Sequence, residues 1–147
     1  MEIRIRRGRR TDYGALAALG DWPPVDHHPA RSVRLFRRVV SDLAYDIYVA
    51  EAGERIVGLV TVSYVRALSL GGQRARLEEL VVAREHRGLG VGRKLLDLAL
   101  RRAWKRGVRV IEARANDESS GRFLDHVGFR AQGRSYEISA AVEASDV

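Results

Sequence analysis

Apolar positions along this chain switch between a period of two, which suits strands, and a period near 3.6, which suits helices. Ile3 and Ile5 alternate with charge between Glu2 and Arg7 and predict a half-buried first strand. Thr11 is placed to cap a short helix through Leu19 that Gly20 ends. The prolines of Trp22 to Pro29 break regular structure and predict a loop. Helical spacing resumes from Ala30 to Ala44, with Val33, Phe36, Val39, Val40 and Leu43 on one side. Tyr45 to Ala52 and Arg55 to Val65 read as two strands joined by the hairpin Ala52-Gly53-Glu54-Arg55. Gly71-Gly72 then turns the chain into a strand ending at Ala83. A helix over Val91 to Arg106 stops at Gly107, and a buried strand is expected over Val108 to Ala113. A short helix from Glu118 to Val127 closes at Gly128, Tyr136 to Val142 alternates as a last strand, and Glu143 to Val147 forms a tail. The order is strand, two helices, three strands, helix, strand, helix, strand.

The densest information lies between Leu77 and Leu96, where strand, glycine-rich turn and helix follow without interruption. Leu77 to Val82 is apolar apart from Glu78 and Glu79, and its apolar positions break strict alternation, so a bulge is expected near residues 78 to 81. Gly88, Gly90 and Gly92 let main chain approach an anion, and the following helix presents unpaired N–H groups at the positive end of its dipole. This is a diphosphate cradle. A Walker loop needs Gly-Lys-Ser/Thr, which Gly92-Arg93-Lys94 does not supply, and the every-second-residue glycines do not fit Gly-x-Gly-x-x-Gly.

Arg87-Gly88-Leu89-Gly90-Val91-Gly92 resembles the Arg/Gln-x-x-Gly-x-Gly/Ala signature of the GNAT acetyltransferase superfamily, and Asn116 to Phe129 resembles that superfamily's next block. The resemblance implies an α/β fold with a single mixed, mostly antiparallel sheet splayed at strands 4 and 5 and helices on both faces. It implies one N-acetyltransferase domain over residues 1–147 and acetyl-coenzyme A as co-substrate. Leu80, Val81 and Val82 would meet the pantetheine arm through main-chain groups, one N–H also serving the oxyanion. Arg87, Gly88, Leu89, Gly90, Val91, Gly92 and Arg93 would hold the diphosphate. Asn116, Asp117 and Ser120 would complete the coenzyme site, either Asn116 or Asp117 taking the place of the family's asparagine. Trp22 and its prolines occupy the region that lines the acceptor pocket in such folds.

Acetyl transfer to an amine needs a base, because an alkylamine with a pKa of about 10.4 is almost wholly protonated near neutrality. Carboxylates in an apolar strand are costly and easily perturbed, which points to Glu78 first and Glu79 second; ion pairs with Arg74 or Arg76 are the structural alternative. The tyrosine that many family members use to protonate the departing thiolate falls on Leu124, which cannot donate a proton. Water, Tyr64 or Tyr136 remain as donors, and His126 is a weak substitute. That departure keeps a second reading open, a catalytically silent acyl-coenzyme A-binding sensor or regulatory module.

Composition narrows the rest. A hydrophobic content of 46% suffices for one core. The absence of cysteine excludes disulfides, thiolate nucleophiles and cysteine metal sites, so transfer is direct or uses another nucleophile. His27-His28 lacks a spaced ligand set, and no metal is expected. The net charge of +7 comes almost entirely from dispersed arginine without interleaved aromatics, so a solvated surface is expected rather than a specific nucleic-acid partner. Neither a membrane span nor a secretory leader is apparent, and a soluble cytoplasmic enzyme is expected, acting on a small-molecule or peptide amine, with a homodimer left open.

Overall fold

The computed structural model describes residues 2–19 and 28–140. The loop predicted over Trp22 to Pro29 falls mostly outside them. Pro29 itself opens a helix at its first position, where the missing N–H has no intrahelical role.

The elements are β1 (Ile3–Arg7), α1 (Tyr13–Ala17), α2 (Pro29–Ser41), β2 (Tyr45–Ala52), β3 (Arg55–Ala67), β4 (Gly72–Val82), α3 (Val91–Lys105), β5 (Ile111–Glu112) and α4 (Glu118–His126). Five strands form one mixed sheet in chain order, antiparallel from β1 to β4 and parallel between β4 and β5. The chain divides into two compact units, residues 1–114 and 115–147.

In the first unit β3 is the centre of the core. Ile56 to Tyr64 are buried without a break, which requires cover on both faces of the sheet. One cover is α3, which buries Val91, Leu95, Leu96, Ala99 and Ala103. A Cβ placed on Gly58 would lie 2.9 Å from Leu95 Cδ1 and 3.2 Å from Val91 Cγ1, so glycine at this position lets the helix approach the strand. The remaining cover comes from α1 and α2, which pack on β3 and β2, with Leu16 and Phe36 buried. Asp12, not Thr11, precedes α1. Its carboxylate accepts from Arg6 at 2.9 and 3.0 Å and from the Arg9 N–H at 2.7 Å, while Arg6 also reaches Glu51 at 2.9 Å.

Three expectations are corrected here. The second helix ends at Ser41 rather than Ala44, because the Asp42 carboxylate accepts the Ala44 N–H at 2.8 Å and turns the chain, leaving Leu43 exposed. The strand expected over Val108 to Ala113 shrinks to Ile111–Glu112, since it pairs only with Ala75 and Arg76. Beyond Arg76, β4 carries no strand on that side among the described residues: this is the splay of strands 4 and 5. In the second unit Tyr136 to Ala140, the described part of the expected last strand, make no ladder, and Tyr136 and Ile138 are exposed.

Candidate active site

The register of β3 against β4 contains one irregularity, and it falls on the carboxylates. Thr61 lies opposite Glu79 while the next residue, Val62, lies opposite Leu77, so Glu78 is the extra residue of a bulge. A strand without a bulge would turn consecutive side chains to opposite faces. Here Glu79 meets Thr61 and Glu78 meets Ser63, two residues of β3 that share a face.

The two acids differ in environment. Glu78 is exposed, lies 3.6 Å from Arg76 Nε and accepts from Ser63 Oγ at 2.8 Å, so the ion pair with Arg76 weighed from the sequence does form. Glu79 is half-buried and has no cation partner among the described residues. Its N–H donates to Thr61 Oγ1 at 3.1 Å, and the same hydroxyl donates to Glu79 Oε2. Burial, and then the negative charge of Glu78, push the Glu79 carboxyl up to about 7.

Beyond the bulge the outer edge of β4 pairs with no strand among the described residues. The Ala83 N–H donates to Val57 O at 2.8 Å, so by antiparallel alternation Val81 also turns its main-chain groups toward β3. Leu80 and Val82 therefore turn theirs outward, and of the main-chain groups expected to meet pantetheine, those of Val81 are already engaged. Arg87 Nε holds Val82 O at 3.2 Å and so fastens the turn to the strand end.

Gly88 and Gly90 have φ of +76° and +86°, and Gly90 is the residue before α3. Side chains there would meet no atom within 4 Å, so the requirement for glycine is conformational. α3 starts with no capping side chain and no acidic residue in its first turn, which leaves the leading N–H groups of Val91, Gly92 and Arg93 for an anion. Leu89 is exposed at the tip of the turn, and Arg93 is bonded to Asp97 at 3.1 Å.

The second unit holds the other expected residues. Asp117 caps α4 by accepting the Ser120 N–H at 2.7 Å, which holds its carboxyl below the usual range, while Asn116 is exposed. Leu124 is half-buried within α4, and Leu124 O accepts the Phe129 N–H at 2.9 Å. Tyr64 is corrected as a thiolate donor. It stands on the α3 face of the sheet, opposite to Thr61 and Glu79, with its hydroxyl 2.5 Å from Asp46 Oδ2 and Arg106 over its ring at 3.6 Å. Burial and the Asp46 carboxylate both raise its pKa. Among the described residues no group of side chains is arranged to hold a metal, and no helix is long and apolar enough to cross a membrane.

A search of curated protein sequences finds no match. Among solved structures, a transcriptional regulator from Bacillus halodurans C-125 superposes with a TM-score of 0.85 at 25% identity, covering 95% of this chain and 100% of the other. The aminoglycoside antibiotic 6'-N-acetyltransferase of Acinetobacter baumannii gives 0.80 at 17% identity, covering 97% and 100%. A predicted acetyltransferase from Clostridium acetobutylicum, whose structure is with acetyl-CoA, gives 0.79 at 15% identity, covering 94% and 96%. These last two speak to the fold. The model of the acetyltransferase (GNAT) family matches residues 14–129, which include strands β2 to β5, the bulged carboxylates and the glycine turn. The chain belongs to the acetyltransferase (GNAT) family and is an N-acetyltransferase.

Proposed function

We propose that this chain, acting as a single catalytic domain, transfers acetyl directly from acetyl-coenzyme A to a primary amine of a small molecule, with Glu79 as the general base. The observation that carries the reading is the bulge: it sets a half-buried carboxylate beside the open edge of β4, and that edge leads to the glycine turn. The coenzyme supplies acetyl as a thioester. Main-chain N–H groups at the start of α3, with Gly88, Gly90, Arg87 and Arg93 around them, hold its diphosphate. The outward groups of Leu80 and Val82 take the pantetheine arm, and one N–H donates to the carbonyl oxygen as charge builds there. In the second unit Asp117 is occupied as a helix cap, which leaves the side chains of Asn116 and Ser120 there for a coenzyme.

Glu79 accepts a proton from the ammonium of the acceptor, the freed amine attacks the thioester carbonyl and the carbon–sulfur bond breaks; the attacking nitrogen passes its second proton through water to the departing thiolate, and Glu79 returns its proton to solvent. Sequence alone ranks Glu78 ahead of Glu79. Burial, a pKa near neutrality and the absence of a cation partner among the described residues favour Glu79, since a base works best with a pKa near the operating pH. The structural likeness to an aminoglycoside acetyltransferase makes polyamine-like small molecules the first acceptors to try.

Thiol release from acetyl-coenzyme A with sisomicin, spermidine and an alanine-terminated peptide tests the activity. With the amine that turns over fastest, Glu79→Gln lowers kcat about 10²-fold and leaves coenzyme affinity unchanged. Full activity in Glu79→Gln with loss in Glu78→Gln returns the role to Glu78. Coenzyme binding without turnover of any of the three amines would overturn the proposed acceptor class.

A further inference from the structure

Strand β3 is built of Ile, Val and Leu through its middle, yet two hydroxyls interrupt it at Thr61 and Ser63, only 5% and 6% exposed. A buried hydroxyl without a partner is costly, so what these two bond to decides why they are tolerated. Both bond to the carboxylates of the bulge. Ser63 Oγ donates to Glu78 Oε2 at 2.8 Å. Thr61 does more: its oxygen accepts the Glu79 N–H at 3.1 Å, and its single proton is thereby directed to Glu79 Oε2. One hydroxyl grips the same glutamate at the main chain and at the carboxylate.

Resting on the reading of Glu79 as the base, we propose that Thr61 is its positioning residue, fixing the carboxylate at the bulge through this pair of hydrogen bonds, while Ser63 orients Glu78. A glutamate side chain has several soft torsions, and one anchored at both ends presents its remaining carboxylate oxygen in one direction. The β-branched Thr61 restricts its own rotamer and so transmits the rigidity of the sheet. The donated bond also favours the ionised form and opposes the effect of burial, which keeps the group able to cycle near neutral pH. The charged group acting on Glu79 is Glu78, which Arg76 partly balances at 3.6 Å.

The test reads the Glu79 carboxyl directly by ¹³C NMR titration of the full chain, beside kcat and KM with the fastest amine of the three-acceptor panel. Thr61→Val should raise the titration midpoint by about one unit and lower kcat about tenfold, with KM for acetyl-coenzyme A within about twofold. Thr61→Ser, which keeps the hydroxyl, should restore both. A Thr61→Val protein that titrates and turns over like the wild type overturns the proposal, as does a Thr61→Ser protein as impaired as Thr61→Val. Where Thr61→Val does not fold, Thr61→Ala takes its place and the same midpoints decide. Glu79→Gln, run in parallel, separates the two layers. Loss of turnover there with a silent Thr61→Val refutes the positioning role alone. Full turnover there refutes Glu79 as base, and a raised midpoint in Thr61→Val would then support only its grip on the carboxylate.

Discussion

Turnover should rise with pH through a midpoint near 7, the value to which burial and the neighbouring Glu78 push the Glu79 carboxyl. With that midpoint about one-tenth of the base is ionised at pH 6, about half at pH 7 and about nine-tenths at pH 8, so kcat climbs roughly tenfold across the interval. Glu78→Gln supplies the discriminating perturbation, because it removes the like charge while leaving Glu79 buried and bonded to Thr61. The charge is exposed and partly balanced by Arg76, so its removal is worth on the order of 1 kcal/mol, a fall in midpoint of roughly half to one unit. More base is then ionised at pH 6, and kcat there, relative to its own plateau, increases about three- to fivefold. The plateau drops by less than about threefold, since a weaker base is a slightly poorer one. Thiol release at saturating substrate, followed over roughly one and a half pH units on either side of the midpoint, measures the rising limb and the plateau. A flat profile, or a limb that moves upward in Glu78→Gln, refutes the reasoning; complete loss of activity in Glu78→Gln assigns the base to Glu78.

Gly90→Asp should abolish stabilisation by acetyl-coenzyme A in thermal melts, since it forces a Cβ into φ of +86° and adds a negative charge at the start of α3; retained stabilisation would remove the turn from the coenzyme site. Gly58→Ala should cost about 1–3 kcal/mol in urea unfolding, because Leu95, Val91 and the Val81 carbonyl all stand too close to a new methyl group. Asp12→Asn should cost about 3 kcal/mol by leaving Arg6 half-paired in a largely buried site. Burial alone would raise the Asp12 carboxyl, but the bonds from Arg6 and the Arg9 N–H hold it below its ordinary value, so its contribution is present above the unfolded pKa and lost as pH falls through the folded one. The variant therefore shows a shallower acid limb of stability than the wild type, and equal limbs would refute the assignment.

Much of this was legible in the residues because long-range demands and local signals agreed. The β2–β3 hairpin is read from two long apolar runs around Gly53, whose φ of +63° suits the turn, and its first strand has the expected ends. The bulge follows from a broken alternation between Leu77 and Val82. Where the local signals are one-sided, pattern and structure part. Apolar spacing carries the second helix to Ala44, but Asp42 offers its own carboxylate to the Ala44 N–H and ends it early. Alternation over Tyr136 to Val142 describes a strand's side chains and supplies no neighbour to pair with. Val108 is buried as expected, yet Arg109 and Val110 are exposed, because among the described residues β4 has a strand partner on that side only at Ala75 and Arg76.

Which of the two glutamates is the more buried is beyond the sequence for a related reason. Which carboxylate of an adjacent pair faces inward depends on which strand residue is doubled against its neighbour, and that is a property of the β3–β4 register. Thr61 and Ser63 were the available clue, as two polar residues spaced by two within an apolar strand. The register also gives β4 an order along its length. Pairing with β5 stops at Arg76, the bulge follows at Glu78, the outward main chain runs through Leu80 and Val82, and Arg87 ties the strand end to the glycine turn. The bulge thus stands within two residues of the point where β4 loses one neighbour. A strand bonded on both sides resists an inserted residue, whereas one freed on one side accommodates it by local twist. Loss of the fifth strand beyond Arg76 therefore does two things at once: it opens main-chain donors and acceptors to a ligand, and it makes room for the extra residue that turns both carboxylates to one face.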